Sequence, residues 1–473
     1  MRRPVATAIT ALALLIGPAG LQADSLRDIY ELALSNDAQL RQEEAQYLAR
    51  RETEQLSRSA LLPQVATRYE RSELDQDVDA DSFSVEGGTA SIVPTSTNTD
   101  ITDERLQLSL NQALFDLPAW FSFQSGKEVT RQAEATFAAN QQNLIVRTVE
   151  AYLLVLRAQD NLAASQAQER AFERQLEQTQ QRFEVGLIAI TDVYEAQAAR
   201  DLAQVTRLVD ENNVAVALEQ LSVLTGQRHG NLNILREDFE VRPPDPLDRA
   251  AWVDFSLENN FLLKAAGYGE EAARQTAKAN RLEHLFKING FYSYTDSTID
   301  GDLKRDPETV FDTSPDRDTD SQYWGVELNM PLYTGGAISS NRRRAAQEFI
   351  ASRENRINLT RTIITNTRSL HMTVVSDVSR IAARKQSIVS SQSSLDATTA
   401  GYEVGTRNVV DVLNAQNTLF AAERDYANSR YDYIINMMRL KEQAGLLSPE
   451  DVYRLDSFLT TPPPPTANNG SSK

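Results

Sequence analysis

One stretch of this chain occurs twice, and no other feature constrains the fold as tightly. Residues 183 to 197 read FEVGLIAITDVYEAQ, and residues 402 to 416 read YEVGTRNVVDVLNAQ. At a constant offset of 219, Phe183 faces Tyr402, Gly186 faces Gly405, Asp192 faces Asp411 and Gln197 faces Gln416. Each copy follows a long run free of helix breakers, so each glycine marks the first permitted interruption of a long helix. The repeat predicts two helical hairpins with matching tips, one in each half of the chain.

The helices entering those tips are unusually long. From Leu117 to Val185 only Pro118 and Gly126 could break one, and from Ala337 to Ala400 there is neither Gly nor Pro. Roughly 60 to 70 residues at about 1.5 Å each make a helix of roughly 100 Å. Such a length implies coiled-coil packing. Residues 137 to 168 are rich in Ala, Gln, Ser and Thr. Small residues let helices approach closely, and polar ones suit a face lining water. The return helices run from 192 to 225 and from 411 to 444, closing at Gly226 and Gly445.

Ahead of each long helix the pattern changes. A helix over 25 to 59, with Leu26, Ile29, Tyr30 and Ala33 on one face, is interrupted at Asn36 and Asp37 and ended by Pro63. Its counterpart is 254 to 280, where LENNFLL parallels LSNDAQL at an offset of 223. VATRYERSE (65 to 73) and KINGFYSYTD (287 to 296) read as strands. Polar, acidic stretches from about 74 to 100 and 296 to 320 follow, and by composition these read as exposed loops. Period-two alternation then returns at Leu106, Leu108 and Leu110, and at Trp324, Val326, Leu328 and Met330. Each half thus supplies two strands. Four strands are too few for a closed barrel, and an open sheet edge is not viable in lipid. Several copies would have to close one barrel together, which points to an oligomer.

The first 23 residues read as a secretory signal: Arg2 and Arg3, a short apolar run from Ala6 to Gly17, then Ala23 before Asp24. No later run of about 20 apolar residues predicts a helical membrane span. There is no Cys, hence no disulfide, thiolate metal site or lipid-bearing N-terminal Cys. Without Arg2 and Arg3, 46 basic and 66 acidic side chains leave a formal charge of −20. That balance argues against nucleic acid as a partner. It fits either simple solubility or a cation-favouring lumen, since carboxylate rings draw cations into a pore. His229, His284 and His371 have no metal spacing, and no triad, HExxH, phosphate loop or dinucleotide fingerprint appears. An enzyme is excluded on this reading, and no cofactor or metal is expected.

The expected organisation is mainly α with β. It comprises a signal segment 1–23, a first repeat 24–240 (strands within 64–115, hairpin 116–226) and a Pro-rich linker 241–250 with Pro243, Pro244 and Pro246. A second repeat 251–445 follows (strands within 286–333, hairpin 334–445), then a segment 446–473 whose Pro-rich tail, from about 461, is expected to be disordered.

Three segments carry a resemblance to the TolC family of bacterial outer-membrane exit ducts: RQLEQTQQRFEVGLIAITDV (174 to 193), SSLDATTAGYEVGTRNVVDVL (393 to 413) and ALLPQ (60 to 64). It extends over the mature chain to about residue 455. The resemblance implies a homotrimer whose twelve strands form one outer-membrane barrel, continued by twelve helices as a periplasmic tunnel with a mixed belt around its middle. It further implies work with a periplasmic adaptor and an inner-membrane pump (of RND, ABC or MFS type), expelling drugs or secreting proteins.

The family's closed tips are held by polar links, which by position fall on Tyr402 and Arg407 of the second hairpin and Thr191, Asp192 and Gln175 of the first. Arg407 and the Tyr402 hydroxyl can both donate to the Asp192 carboxylate. Links near water are worth about 0 to 1 kcal/mol each, which suits a latch that docking must release. On the residues alone, Arg407 capping a helix end, Tyr402 packing against its neighbour and Asp192 acting as an N-cap stay open. Asp411 matches a family ring of carboxylates at the periplasmic constriction. The family often has a second Asp one turn on, where this chain has Asn414, so a single acidic ring is expected. The turns at Gly186 and Leu187 and at Gly405 and Thr406 would mesh with the adaptor's own hairpin tips. The rival reading is a non-conducting coiled-coil adaptor or envelope spacer. An adaptor, however, would carry one hairpin beside a lipoyl-like domain and a membrane anchor, and here there are two hairpins, four strands and no anchor.

Overall fold

A computed structural model describes residues 24–306 and 315–462, apart from the side chains of 84–86. The signal segment expected over 1–23 and the tail beyond 462 lie outside the described residues. In the first half the elements are α1 (Leu26–Asn36), α2 (Ala38–Ser59), β1 (Gln64–Glu86), β2 (Thr89–Phe115), α3 (Leu117–Glu184), α4 (Ile190–Thr225) and β3 (Ile234–Leu235). The second half supplies α5 (Arg249–Asn259), α6 (Phe261–Arg281), β4 (Lys287–Asp306), β5 (Arg317–Asn329), α7 (Ala337–Glu403), α8 (Val409–Gln443), α9 (Pro449–Asp456) and β6 (Leu459–Thr460). No described helix is long and apolar enough to cross a membrane.

Two expectations are corrected here. The stretch from 74 to 100 is not a loop, because β1 continues to Glu86 and β2 begins at Thr89. Glu73, Asp75, Asp77, Asp79 and Asp81 recur every second residue, so an extended chain places them all on one face. Their composition suggests a loop, whereas their spacing is that of a strand. The reversal is a two-residue turn at Gly87 and Gly88, with φ of 60° and 88°, the double positive φ of a type I′ hairpin. Likewise the polar stretch from 296 is strand through Asp306, and β5 starts at Arg317. Gly126, a possible breaker, lies inside unbroken α3. A Cβ there would meet Ser57 Oγ at 2.1 Å, so this glycine permits close approach of α2.

The described chain forms two compact units, and neither follows the sequence repeat. One contains Tyr47–Glu134 and Ala265–Ile357, taking two helix segments and two strands from each half. Its sheet has the order β1-β2-β4-β5, all antiparallel, with β1 and β5 as the two edges. The helices of this unit meet through small groups, as where Ser125 Oγ of α3 donates to the Ala272 carbonyl of α6 at 3.0 Å.

The other unit contains the chain to Gln46, Ala135–Lys264 and the chain from Asn358. Its main core joins Leu26, Ile29 and Tyr30 of α1 to Val149, Tyr152 and Leu153 of α3, Ile434 of α8 and Val452 of α9. The short pair β3-β6 closes beside it. His229 is structural, its ring nitrogens bonded to Asp24 at 2.8 Å and Thr225 at 2.7 Å. Along α3 and α8, polar rungs hold the helices antiparallel. Arg439 donates to Glu150 at 2.6 Å, the Tyr431 hydroxyl to Asp160 at 2.5 Å, and Gln168 to Asn417 at 2.6 Å. Burial pushes the Asp160 carboxyl above its ordinary range, and the Tyr431 hydrogen bond offsets only part of that.

Candidate functional site

The repeated stretches form two closely similar tips. At the first, Gly186 has φ +74°, its N–H donates to the Phe183 carbonyl, and the Leu187 N–H donates to the Arg182 carbonyl, both at 2.9 Å. At the second, Gly405 has φ +78°, with Gly405 donating to Tyr402 at 3.1 Å and Thr406 to Gly401 at 2.9 Å. Both are Schellman endings, which require a left-handed residue after the helix; hence the glycine in each copy. The turns project apolar side chains into solvent: Val185, Leu187 and Val404 are 70%, 72% and 75% exposed.

The two helix starts beyond the turns differ. Asn408 caps α8, accepting from the Asp411 N–H at 2.8 Å, while the Asp411 carboxylate accepts from the Asn408 N–H at 3.4 Å. At the first tip the cap position is Ala189, which has no side chain to offer. Asp192 is therefore not the N-cap of α4; it lies in the first turn, and among the described residues its carboxylate has no partner. One position of the repeat thus carries a carboxylate occupied by its own helix in Asp411 and a free one in Asp192.

Within one chain Arg407 does not reach Asp192. Its guanidinium lies 3.8 Å from Asp411, one helical turn on, and its side chain is 61% exposed. Room for its stem comes from Gly401, where a Cβ would meet Arg407 Cγ at 2.8 Å. Tyr402 packs in a small apolar cluster with Phe172 of α3, Ala203 of α4 and Val409, Val412 and Leu413 of α8, which joins the two tips. Its hydroxyl is buried without a hydrogen-bond partner. The Tyr402–Asp192 link expected from sequence is absent within the chain. Gln175 is buried beside Thr179, whose hydroxyl donates to the Gln175 carbonyl at 2.7 Å, and Thr191 is exposed. The structure thus gathers Tyr402, Arg407 and Asp411 at one tip and leaves Asp192 and Thr191 unengaged at the other.

Two contributors escaped the sequence reading. Arg182, in the last turn of α3, stands over the Tyr402 ring, and no pattern in the repeat marks it. Asn408 was legible as a cap, three residues before an acid at the start of an apolar run.

The profile of the outer membrane efflux protein family matches residues 29–227 and 252–446. The chain is 33% identical over 441 residues to the outer membrane protein TolC of Vibrio cholerae, covering 92% of this chain and 94% of that one. It is 30% identical over 435 residues to the alkaline protease secretion protein AprF of Pseudomonas aeruginosa, covering 90% and 85%. The solved outer membrane channel CmeC of Campylobacter jejuni shares the fold with a TM-score of 0.72 at 16% identity, covering 92% and 90%. These matches span both halves and both hairpin tips, and the chain belongs to the outer membrane efflux protein family.

Proposed function

We propose that three copies of this chain make one passive exit duct through the outer membrane, serving efflux, type I secretion or both. The observation that carries this is the sheet: four antiparallel strands with two unpaired edges, β1 and β5. In lipid such edges must be paired. Three copies supply twelve strands, an even number within the range of outer-membrane barrels. β1 and β2, at 23 and 27 residues, exceed the roughly 9–11 residues that a tilted strand needs to cross the hydrocarbon. Membership in the efflux family supports the same reading and sets aside the non-conducting adaptor.

The paired tips are the gate. Asp192, with no partner among the described residues, is the acceptor for Arg407 and Tyr402 of a neighbouring copy, with Thr191 and Gln175 beside it. Asp411 forms a carboxylate ring on the threefold axis. The exposed turns at Gly186, Leu187, Gly405 and Thr406 receive a periplasmic adaptor, which draws in an inner-membrane pump and releases the latch. Single-channel conductance in planar bilayers tests this by comparing wild type with Tyr402→Phe combined with Arg407→Ser. A small wild-type conductance that rises severalfold in the double variant is expected. Equal conductance would remove these residues from the gate, and no conductance from inserted trimers would remove the duct.

A further inference from the structure

We infer that Arg342, Arg343 and Arg344, near the start of α7, bind the phosphodiester headgroup of an anionic phospholipid in the periplasmic leaflet of the outer membrane. The inference rests on the exit-duct reading above and adds to it a ligand for the outer wall of the duct.

Pairing in the sheet shows which face meets lipid. Val65, Leu110, Tyr292 and Trp324 lie in one row across β1, β2, β4 and β5, and side chains in one row share a face. On β5 this face continues towards the helices through Val326 and Leu328, and the chain leaves the strand with Met330, Leu332 and Tyr333. Trp324, Leu332 and Tyr333 are 75%, 82% and 87% exposed. In the other direction the face turns acidic at Asp320, which pairs with Asp296. From Trp324 to Leu332 the apolar band is nine residues long, matching the roughly 9–11 that a tilted strand needs to cross the hydrocarbon. An exposed tyrosine at the end of such a band stands at headgroup level.

The arginines follow directly. All three are exposed, while Ile338 and Ala345 turn the opposite side of α7 into the fold. Between Glu327 and Glu348 the chain has no acid. Among the described residues neither Arg342 nor Arg343 has an ion pair; Arg343 donates to Ser340 Oγ at 3.0 Å. Arg344 lies 3.7 Å from Glu348, with both side chains mostly exposed. Further along the same helix arginines are matched, Arg353 with Glu354, Arg356 with Glu270 and Arg380 with Asp377. In a chain of formal charge −18, adjacent cations left open at this one level are complementary to an external anion.

Their reach fits the headgroup layer. α7 begins at Ala337, so the three Cα atoms lie about 8–11 Å along its axis. Helical Cα–Cβ bonds tilt towards the N-terminus, which here is back towards the strands. Long arginine stems therefore snorkel to the level of Tyr333, where a guanidinium fork takes two phosphate oxygens at once. Three successive positions fan over about 200° of helix surface, so part of the triplet meets lipid whichever way the helix is turned. The equivalent start of α3 is different. Residues 117–130 hold no arginine but carry Trp120, Phe121 and Phe123, with Trp120 47% exposed. One helix start thus meets the interface with aromatic rings and the other with charge, giving one anionic-lipid site per copy.

Native mass spectrometry of the full-length protein, extracted from outer membranes, tests this with phosphatidylglycerol and zwitterionic phosphatidylethanolamine as probes. Wild-type trimers are expected to retain phosphatidylglycerol severalfold better, at one per copy. Each basic side chain near an anionic surface strengthens binding roughly fivefold, so Arg343→Gln should lose about that factor. Arg342→Gln, Arg343→Gln and Arg344→Gln together should bind both lipids equally, and lysine at all three positions should restore most of the preference. If wild-type trimers show no preference, or the triple glutamine variant keeps it, the site is wrong and the duct stands. Displacement of the lipid by inorganic phosphate, or retention of lipopolysaccharide in its place, also overturns the site. Wild-type protein that is monomeric, or absent from the outer-membrane fraction, overturns the duct reading and the site with it.

Discussion

The Arg182 guanidinium stands over the Tyr402 ring, 4.6 Å from the ring centroid, and so ties the first hairpin to the second without using the tyrosine hydroxyl. That hydroxyl is buried and makes no hydrogen bond among the described residues. Ring and hydroxyl are therefore separable: the ring holds the tips of one chain together, and the hydroxyl is left for the neighbouring copy on the gate proposed above.

Tyr402→Phe is accordingly expected to leave the stability of the chain unchanged or slightly raised, because it deletes a buried donor without a partner. Arg182→Ala should cost about 0.5–1 kcal/mol through the lost cation–π contact. Denaturant unfolding of the extracted protein measures both. A loss of more than about 1 kcal/mol for Tyr402→Phe would mean that the hydroxyl is hydrogen-bonded in the folded protein, inside the chain or, on the gate proposed above, to a neighbouring copy.

The unequal caps give a second prediction. Asn408→Ala removes the side chain that accepts from Asp411 N–H and should weaken the start of α8 by about 1 kcal/mol. Ala189→Asn should do the reverse at the start of α4, stabilising it by a similar amount and engaging Asp192 in a capping box. Amide hydrogen exchange at Thr191 and Asp192 reads the effect: slower exchange is expected in Ala189→Asn, and unchanged exchange would contradict it. On the gate proposed above, the same substitution diverts Asp192 from a neighbouring copy, so conductance should rise.

The α3–α8 rungs make stability depend on pH. The folded pKa of Asp160 lies above its ordinary 3.8, with burial as the main cause. The folded chain therefore holds this proton more tightly than the unfolded one. Its contribution is fully present below the ordinary value and is lost as pH rises through the folded pKa. Asp160→Asn, which stays neutral, should gain on wild type as pH is raised from about 4 to 7 and match it most closely at the acid end. Thermal midpoints of both proteins across that range provide the check. A difference independent of pH would show that Asp160 does not titrate differently on folding.

What this sequence determines alone follows from local pattern. Gly186 and Gly405 end helices because a Schellman turn needs positive φ, and that requirement sits within six residues of chain. The long helices follow from the near absence of breakers, and strands β2 and β5 from period-two alternation at Leu106 to Leu110 and from Trp324 on. Even the hairpin missed between 74 and 100 was locally encoded, in alternating acids and in Gly87 and Gly88; composition obscured a signal carried by spacing. Tertiary structure decided the rest. Whether Gly126 breaks a helix or admits Ser57, whether Arg407 meets Asp192 or Asp411, and whether Arg182 covers Tyr402 depend on how separate helices lie in register. Secondary structure is set by neighbours a few residues away, whereas side-chain partners are chosen by packing across tens to hundreds of residues, where a shift of one helical turn exchanges one carboxylate for another.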